Sequence, residues 1–220
     1  MTFTSQPTET DVKPNAKEFL QFDLAGSVCL WIAVAAALLV CFEATRFMTW
    51  YAIRDYLLEW REFGLMYSTD LLLLGKNPYA LDLQPVAIGP YGLLYNVAVL
   101  PLSWMFGSAP VVHRAVSCVC IVLSGVCLFW GMKKAGVSLS LAFLGTAVFY
   151  AHSATSVEIT ARPDSMGQLF FLASVIVPMV YGFRIGPLAI SGGLALLAFS
   201  AKTYFFLGAP FLALYMFLFD

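Results

Sequence analysis

Charge is what this sequence has least of. Only 11% of its 220 residues are Asp, Glu, Lys or Arg, against 60% hydrophobic, and its mean hydropathy is +0.82. No soluble globular domain needs so much apolar surface. The net charge of −1 selects no partner by electrostatics, and no nucleic-acid partner is expected. The first segment, "MTFTSQPTETDVKPNAKEFLQFD", lacks a compact apolar stretch, which excludes a cleaved signal peptide. Residues 1–23 read instead as a polar cytoplasmic tail. Metal-ligand spacing is also missing among Cys29, Cys41, Cys118, Cys120 and Cys127. All five lie in apolar segments and read as small buried hydrophobes, neither disulfides nor a metal site. No inverted internal repeat is visible, which counts against a transporter built on that symmetry.

What the chain does have is long apolar runs. Crossing a hydrocarbon core takes about 20 apolar residues as helix. Candidate spans are 24–42, 111–132, 138–157, 165–183, 186–201 and 203–219. The chain is therefore expected to be an all-α polytopic protein, with residues 24–220 forming one membrane domain. The run 92–107 is short and holds Asn96 and Pro101. Positive-inside bias decides its status. With Lys13 and Lys17 inside, a non-crossing 92–107 also puts Lys133, Lys134 and Arg184 inside. Residues 44–110 then form one large outer loop. The apolar end at Asp220, with no polar tail after it, reads as the first part of a longer protein.

A long loop among short ones is the place to look for function. Over 51–75 the spacing predicts one helix, with Ile53, Leu57, Trp60, Gly64, Tyr67, Leu71 and Leu74 as its apolar stripe. Asp55, Glu59 and Glu62 fall on the opposite face. They are either a solvated face eased by Arg54 and Arg61, or a source of a general base. Gly75 suits the helix C-cap and Asn77 before Pro78 favours a turn. Gly-Pro-Tyr-Gly at 89–92 re-aims the chain toward the membrane. Arg114 opens the second span, where snorkelling to the surface accounts for it.

The stretch "TSVEITARPDSMGQLF" sets Glu158, Arg162 and Asp164 between two apolar runs. Glu158 and Arg162, four apart, can pair on a helix. Asp164 can cap the helix that follows. Lys202 interrupts some 30 apolar residues, and an ionisable group there is a functional candidate. Gly208 and Pro210 add the signs of a broken helix. His152 reads first as a structural donor.

These features occur in a familiar order. A first apolar span leads to an acidic helix, "LLLLGKNPYAL", a "P…YG..Y" turn, a "PL…FG" helix and "HRAVS"; "ARPD" comes two spans later. The order resembles the GT-C superfamily of membrane glycosyltransferases over most of residues 24–206. The resemblance implies a helical bundle of about six spans that moves a sugar from a polyprenyl-(pyro)phosphate to a lipid, glycan or protein acceptor. It also implies an outer or lumenal site, in the plasma membrane of a bacterium or the endoplasmic reticulum of a eukaryote. The essential first-loop acid falls best on Glu62. The family residue is more often Asp, so Asp55 and Glu59 stay in contention. Asp164 matches a second-loop acid. A divalent metal occurs in some branches, but Ser165 and Met166 stand where a second acid would be, so no metal ligand is assigned. Candidate substrate-binding groups are Arg162, Lys202, Arg114, Lys76, Tyr91 and His152. A transporter or flippase for lipid-linked sugars would need the same cations but no base, and a non-catalytic membrane subunit would need neither.

Overall fold

A computed structural model describes residues 16–83 and 91–219. The tail up to residue 15, the first half of the 89–92 turn and Asp220 lie outside the described residues. The described chain is helical, with α1 at Ala16–Ala52, α2 at Trp60–Leu73, α3 at Leu94–Phe106 and α4 at Pro110–Lys134. Then follow α5 at Leu139–Thr155, α6 at Asp164–Tyr181, α7 at Ile185–Ala201 and α8 at Gly208–Phe219. Three of these helices, over Ala25–Ala52, Pro110–Lys134 and Asp164–Tyr181, are long and apolar enough to cross a membrane. α5, α7 and the stretch through α8 are apolar but shorter.

α1 begins inside the expected tail and runs well past the expected end of its span. Nothing in Glu43–Ala52 breaks it. Arg46 pairs with Glu43 one turn back at 2.8 Å, and the Thr45 and Thr49 hydroxyls donate to carbonyls four residues earlier. α1 packs on α5, α5 on α4, α4 on α6 and α6 on α7. Small residues line these seams: Ala142, Ala147, Ala154, Ala195 and Ala198 are buried. Small side chains let backbones approach where lipid supplies no hydrophobic drive between helices. Polar contacts add to them, with Ser191 donating to the Ser174 carbonyl between α7 and α6, and Thr45 meeting the Tyr150 hydroxyl between α1 and α5.

The predicted helix over 51–75 does not form as one piece. The chain leaves helical geometry between Ile53 and Glu59, and α2 starts afresh at Trp60. Asp55, Glu59 and Glu62 therefore share no face. The apolar stripe is also displaced. Ile53, Trp60 and Leu74 point outward, whereas Glu62, Leu65, Ser68, Thr69 and Leu71 face the bundle. The C-terminus closes as expected on Gly75, whose φ of +68° suits a residue without Cβ. Gly75 N donates to Leu72 O at 3.0 Å and Lys76 N to Leu71 O at 2.8 Å, the paired bonds of a Schellman cap. Asn77 Oδ1 accepts from Tyr79 N in the turn around Pro78.

α3 has 13 residues. At 1.5 Å per residue that is about 20 Å, short of a hydrocarbon core of about 30 Å. Asn96 docks it on α2, its amide donating to Leu65 O at 2.7 Å and to the Thr69 hydroxyl at 2.9 Å. The Tyr95 hydroxyl donates to His113 O at 2.9 Å, tying α3 to α4. Only Cys120 of the five cysteines is buried; all are free, and Cys29 faces outward from α1. The expectation of five buried thiols fails there because this part of α1 is covered by no neighbour.

Candidate functional site

Arg114, in the first turn of α4, reaches the last turn of α1. The connection from Ile53 to Ala109 thus begins and ends at one end of the bundle. The C-termini of α5 and α7 and the N-terminus of α6 lie at the same end, joined through Glu62, Ala161, Asp164 and Lys202. Lys133, Lys134 and Arg184 flank the other end.

Two ionic centres form here. The first is Glu62 with Arg114, both side chains at 0% exposure. Burying two charges costs several kcal/mol per ion, which their attraction offsets only if every remaining polar atom is also bonded. That condition is met. Arg114 Nε donates to Glu62 Oε1 at 2.8 Å and Nη2 to Glu62 Oε2 at 2.6 Å. Its other three hydrogens go to the carbonyls of Tyr51, Arg54 and Tyr56 at 3.4, 2.7 and 2.8 Å. All five guanidinium N–H groups are used. Glu62 also accepts from Leu58 N at 2.7 Å and Ala161 N at 2.8 Å. Burial pushes the Glu62 carboxyl up, but Arg114 and the two backbone donors outweigh it and hold the group below the usual carboxylate range.

This centre explains the break after α1. The carbonyls freed at 51–56 are capped by a guanidinium, and Leu58 N finds a carboxylate. Arg114 does not snorkel to the surface. Nor does Glu62 face an open cavity. It fastens the segment between α1 and α2 to α4 and to the buried 159–163 segment, where Ser117 Oγ also donates to Thr160 O at 2.8 Å.

The second centre is nearly as buried but less completely bonded. Asp164 receives Lys202 Nζ at 2.6 Å and the Tyr204 hydroxyl at 2.7 Å, both on Oδ1. Arg162 Nε lies 3.1 Å from Asp164 Oδ2, yet neither atom has a formed hydrogen bond. Arg162 Nη1 meets Glu59 Oε2 at 3.1 Å, and Nη2 donates to the Tyr91 hydroxyl at 3.4 Å. Glu59 carries a second ion pair, to Arg61. Lys202 Nζ stands 5.1 Å from the Tyr91 ring and 4.7 Å from the Tyr204 ring, within cation–π range.

Local chain geometry builds this centre. α7 stops at Ala201 because Lys202 is extended, with φ −156° and ψ 128°, and a 3-10 turn over Thr203–Leu207 follows. Tyr91 is positioned through its neighbour: Gly92 N donates to Ala201 O at 3.2 Å. A Cβ on Gly92 would lie 1.7 Å from the Ser200 carbonyl oxygen, so only glycine allows this approach.

The sequence candidates divide accordingly. Glu59, Arg162, Asp164, Lys202 and Tyr91 come together. Glu62 and Arg114 form the sealed centre beside them. Asp55 lies in an exposed bend and Lys76 is exposed past the α2 cap. His152 is exposed and lines a groove of about 850 Å³ between α1 and α5, with Leu39, Phe47 and Trp50. Glu158 does not pair with Arg162, because 157–159 is a 3-10 turn that destroys the i,i+4 geometry. Asp164 does not cap α6; Pro163 holds that position, and the carboxylate serves Lys202 and Tyr204. Tyr204 was not among the candidates, though a hydroxyl two residues from a lone lysine in an apolar run is a readable signal. Among the described residues no three His, Cys, Asp or Glu side chains gather as a metal site requires. The donor set does not suit a divalent ion either, since Lys202 takes Asp164 Oδ1.

No family model, curated protein or solved structure matches the chain.

Proposed function

We propose that this chain is the membrane module of a GT-C-type glycosyltransferase, with six membrane-crossing helices and its site at the outer or lumenal face. The donor is a sugar on a polyprenyl (pyro)phosphate, and its lipid tail lies against the apolar helices. The phosphate leaves without needing much protonation. What it needs is positive charge placed where negative charge grows. Arg162 and Lys202 supply that charge, and Tyr204 and Tyr91 orient them. Asp164 and Glu59 balance the charge of the two cations until phosphate competes for them.

The observation that supports this reading best is the convergence of Lys202 and Arg162 on Asp164 at one end of the bundle. Arg162 Nε keeps a hydrogen for which no protein acceptor is aligned. The test is sugar transfer in lipid nanodiscs from a panel of polyprenyl-phosphate-linked hexoses and pentoses. Lys202→Ala and Asp164→Asn should each lower transfer roughly 100-fold, the usual scale for removing one charge-stabilising group. Lys202→Ala should also weaken donor binding. Unchanged turnover in both variants overturns the proposal. Translocation of the lipid-linked sugar with no glycosyl product would make the chain a transporter.

A further inference from the structure

Four carboxylates at this end of the bundle are already committed. Glu62 is saturated, Asp164 holds Lys202 and Tyr204, Glu59 bridges Arg61 and Arg162, and Glu43 pairs with Arg46 on the outside of α1. Asp55 is exposed. Glu158 differs from all of them. Among the described residues no cation lies within ion-pair distance of it. Its one side-chain bond is a long 3.5 Å contact from Gln168 Nε2 to Oε1. Its Oε2 is buried without a donor. Gln168 Oε1 and the Ser165 hydroxyl are buried without partners too, and the Ser153 hydroxyl lies beside Glu158 short of hydrogen-bond geometry. Three polar groups on the 157–159 turn and α6 are thus withdrawn from water with hydrogen-bonding capacity unused. Native structures seldom leave several such atoms in one region without a role for them.

We infer that Glu158 is the proton acceptor of this site, the carboxylate that takes the acceptor hydroxyl's proton during sugar transfer. The inference rests on the glycosyltransferase reading. In the step, the acceptor oxygen forms a bond to the sugar C1 and its proton passes to Glu158. The bond from C1 to phosphate oxygen breaks, and the polyprenyl (pyro)phosphate departs with the electron pair toward Arg162 and Lys202. Gln168 Nε2 orients Glu158 Oε1 and leaves Oε2 free for the hydroxyl. The surroundings favour a basic carboxylate. Burial pushes Glu158 above the usual range and nearby Asp164 adds to this, while Ser153 and His152 temper it. A base poised closer to neutral pH accepts a proton more effectively.

Two measurements on the full chain in nanodiscs decide it. First, labelling with dicyclohexylcarbodiimide, which reacts with protonated carboxyls in apolar surroundings, should mark the Glu158 peptide. The label should fade as pH rises through a midpoint above that of an ordinary glutamate, and Glu62 should stay unlabelled. Second, Glu158→Gln should lower transfer about 100- to 10,000-fold while donor affinity and thermal unfolding stay unchanged. Glu158→Asp should restore part of the rate. Wild-type activity should rise with pH through the midpoint seen in labelling, and the Gln variant should lose that limb. No label on Glu158, or full transfer by Glu158→Gln, overturns the inference. Loss of transfer in Lys202→Ala with full transfer in Glu158→Gln sinks the base assignment and leaves the glycosyltransferase reading standing. Absence of transfer from every donor by the wild type sinks that reading and this step with it.

Discussion

Glu62 and Asp164 stand at the same end of the bundle and each meets an arginine, yet one is sealed and the other is left ajar. Glu62 accepts two bonds from Arg114 and one each from Leu58 N and Ala161 N. Asp164 concentrates its bonds on one oxygen and leaves the other in loose ionic contact with Arg162. A carboxylate whose acceptor positions are all filled by the protein holds structure together. One whose oxygen and neighbouring cation both keep spare capacity can exchange partners with a ligand. The comparison gives Glu62–Arg114 a structural role and leaves spare bonding capacity at Asp164 and Arg162.

The strongest way to break the comparison is to remove one half of the sealed pair. Arg114→Ala or Glu62→Gln should cost about 3–5 kcal/mol of stability, because each strands a buried, unmatched group. Denaturant unfolding in micelles measures this, and the double variant should cost less than the sum of the singles. The pH dependence sharpens the point. Because the folded-state Glu62 pKa is depressed, its contribution is fully present above the ordinary carboxylate pKa and fades as pH falls through the folded value. Unfolding midpoints followed from neutral to acidic pH should show this loss in the wild type and not in Glu62→Gln.

Gly92→Ala should come next, at about 1–3 kcal/mol, the usual cost of forcing atoms into packed space. It pushes a methyl against the Ser200 carbonyl and moves Tyr91 away from Arg162 and Lys202. Donor affinity should fall with it; a drop in stability alone would mean that Tyr91 does not orient the cations. The smallest effect belongs to Arg61→Ala. Its side chain is 42% exposed and its pair with Glu59 is screened by water. The stability change should stay within about 0.5 kcal/mol. A larger loss in calorimetry would make the Arg61–Glu59–Arg162 chain part of the sealed architecture.

Hydropathy found the helices because apolar length is a local property. It also found Lys202, since a charge in a long apolar run stands out. Gly75 was readable because its task is confined to one turn. The break at 53–59 was not readable, because its cause is Arg114, 60 residues after Arg54. The inverted face of α2 has a different reason. Hydrophobic periodicity points inward when the outside is water. On α2 the polar side chains with buried partners decide the face: Glu62 and Thr69 turn inward, where Arg114 and Asn96 satisfy them, and Trp60 turns outward. The partners of Glu158 and Asp164 were misread because of the local backbone at 157–164. The Glu158 pairing assumed a helical turn where the backbone is a 3-10 turn, and the Asp164 cap was placed one residue late, since α6 already begins at Asp164 with Pro163 before it.

The sealed pair also sets a timetable. Glu62 leaves the ribosome 52 residues before Arg114 and 99 before Ala161. At about 5–20 residues per second, the last of these donors arrives roughly 5–20 s after the carboxylate. Until then the Glu62 carboxylate is incompletely bonded, and the segment around α2 cannot settle fully onto the bundle. Its final latch, Gly92 on Ala201, waits longer still. The segment made early is thus finished late, and a pause in synthesis between α4 and α7 would hold it unfinished.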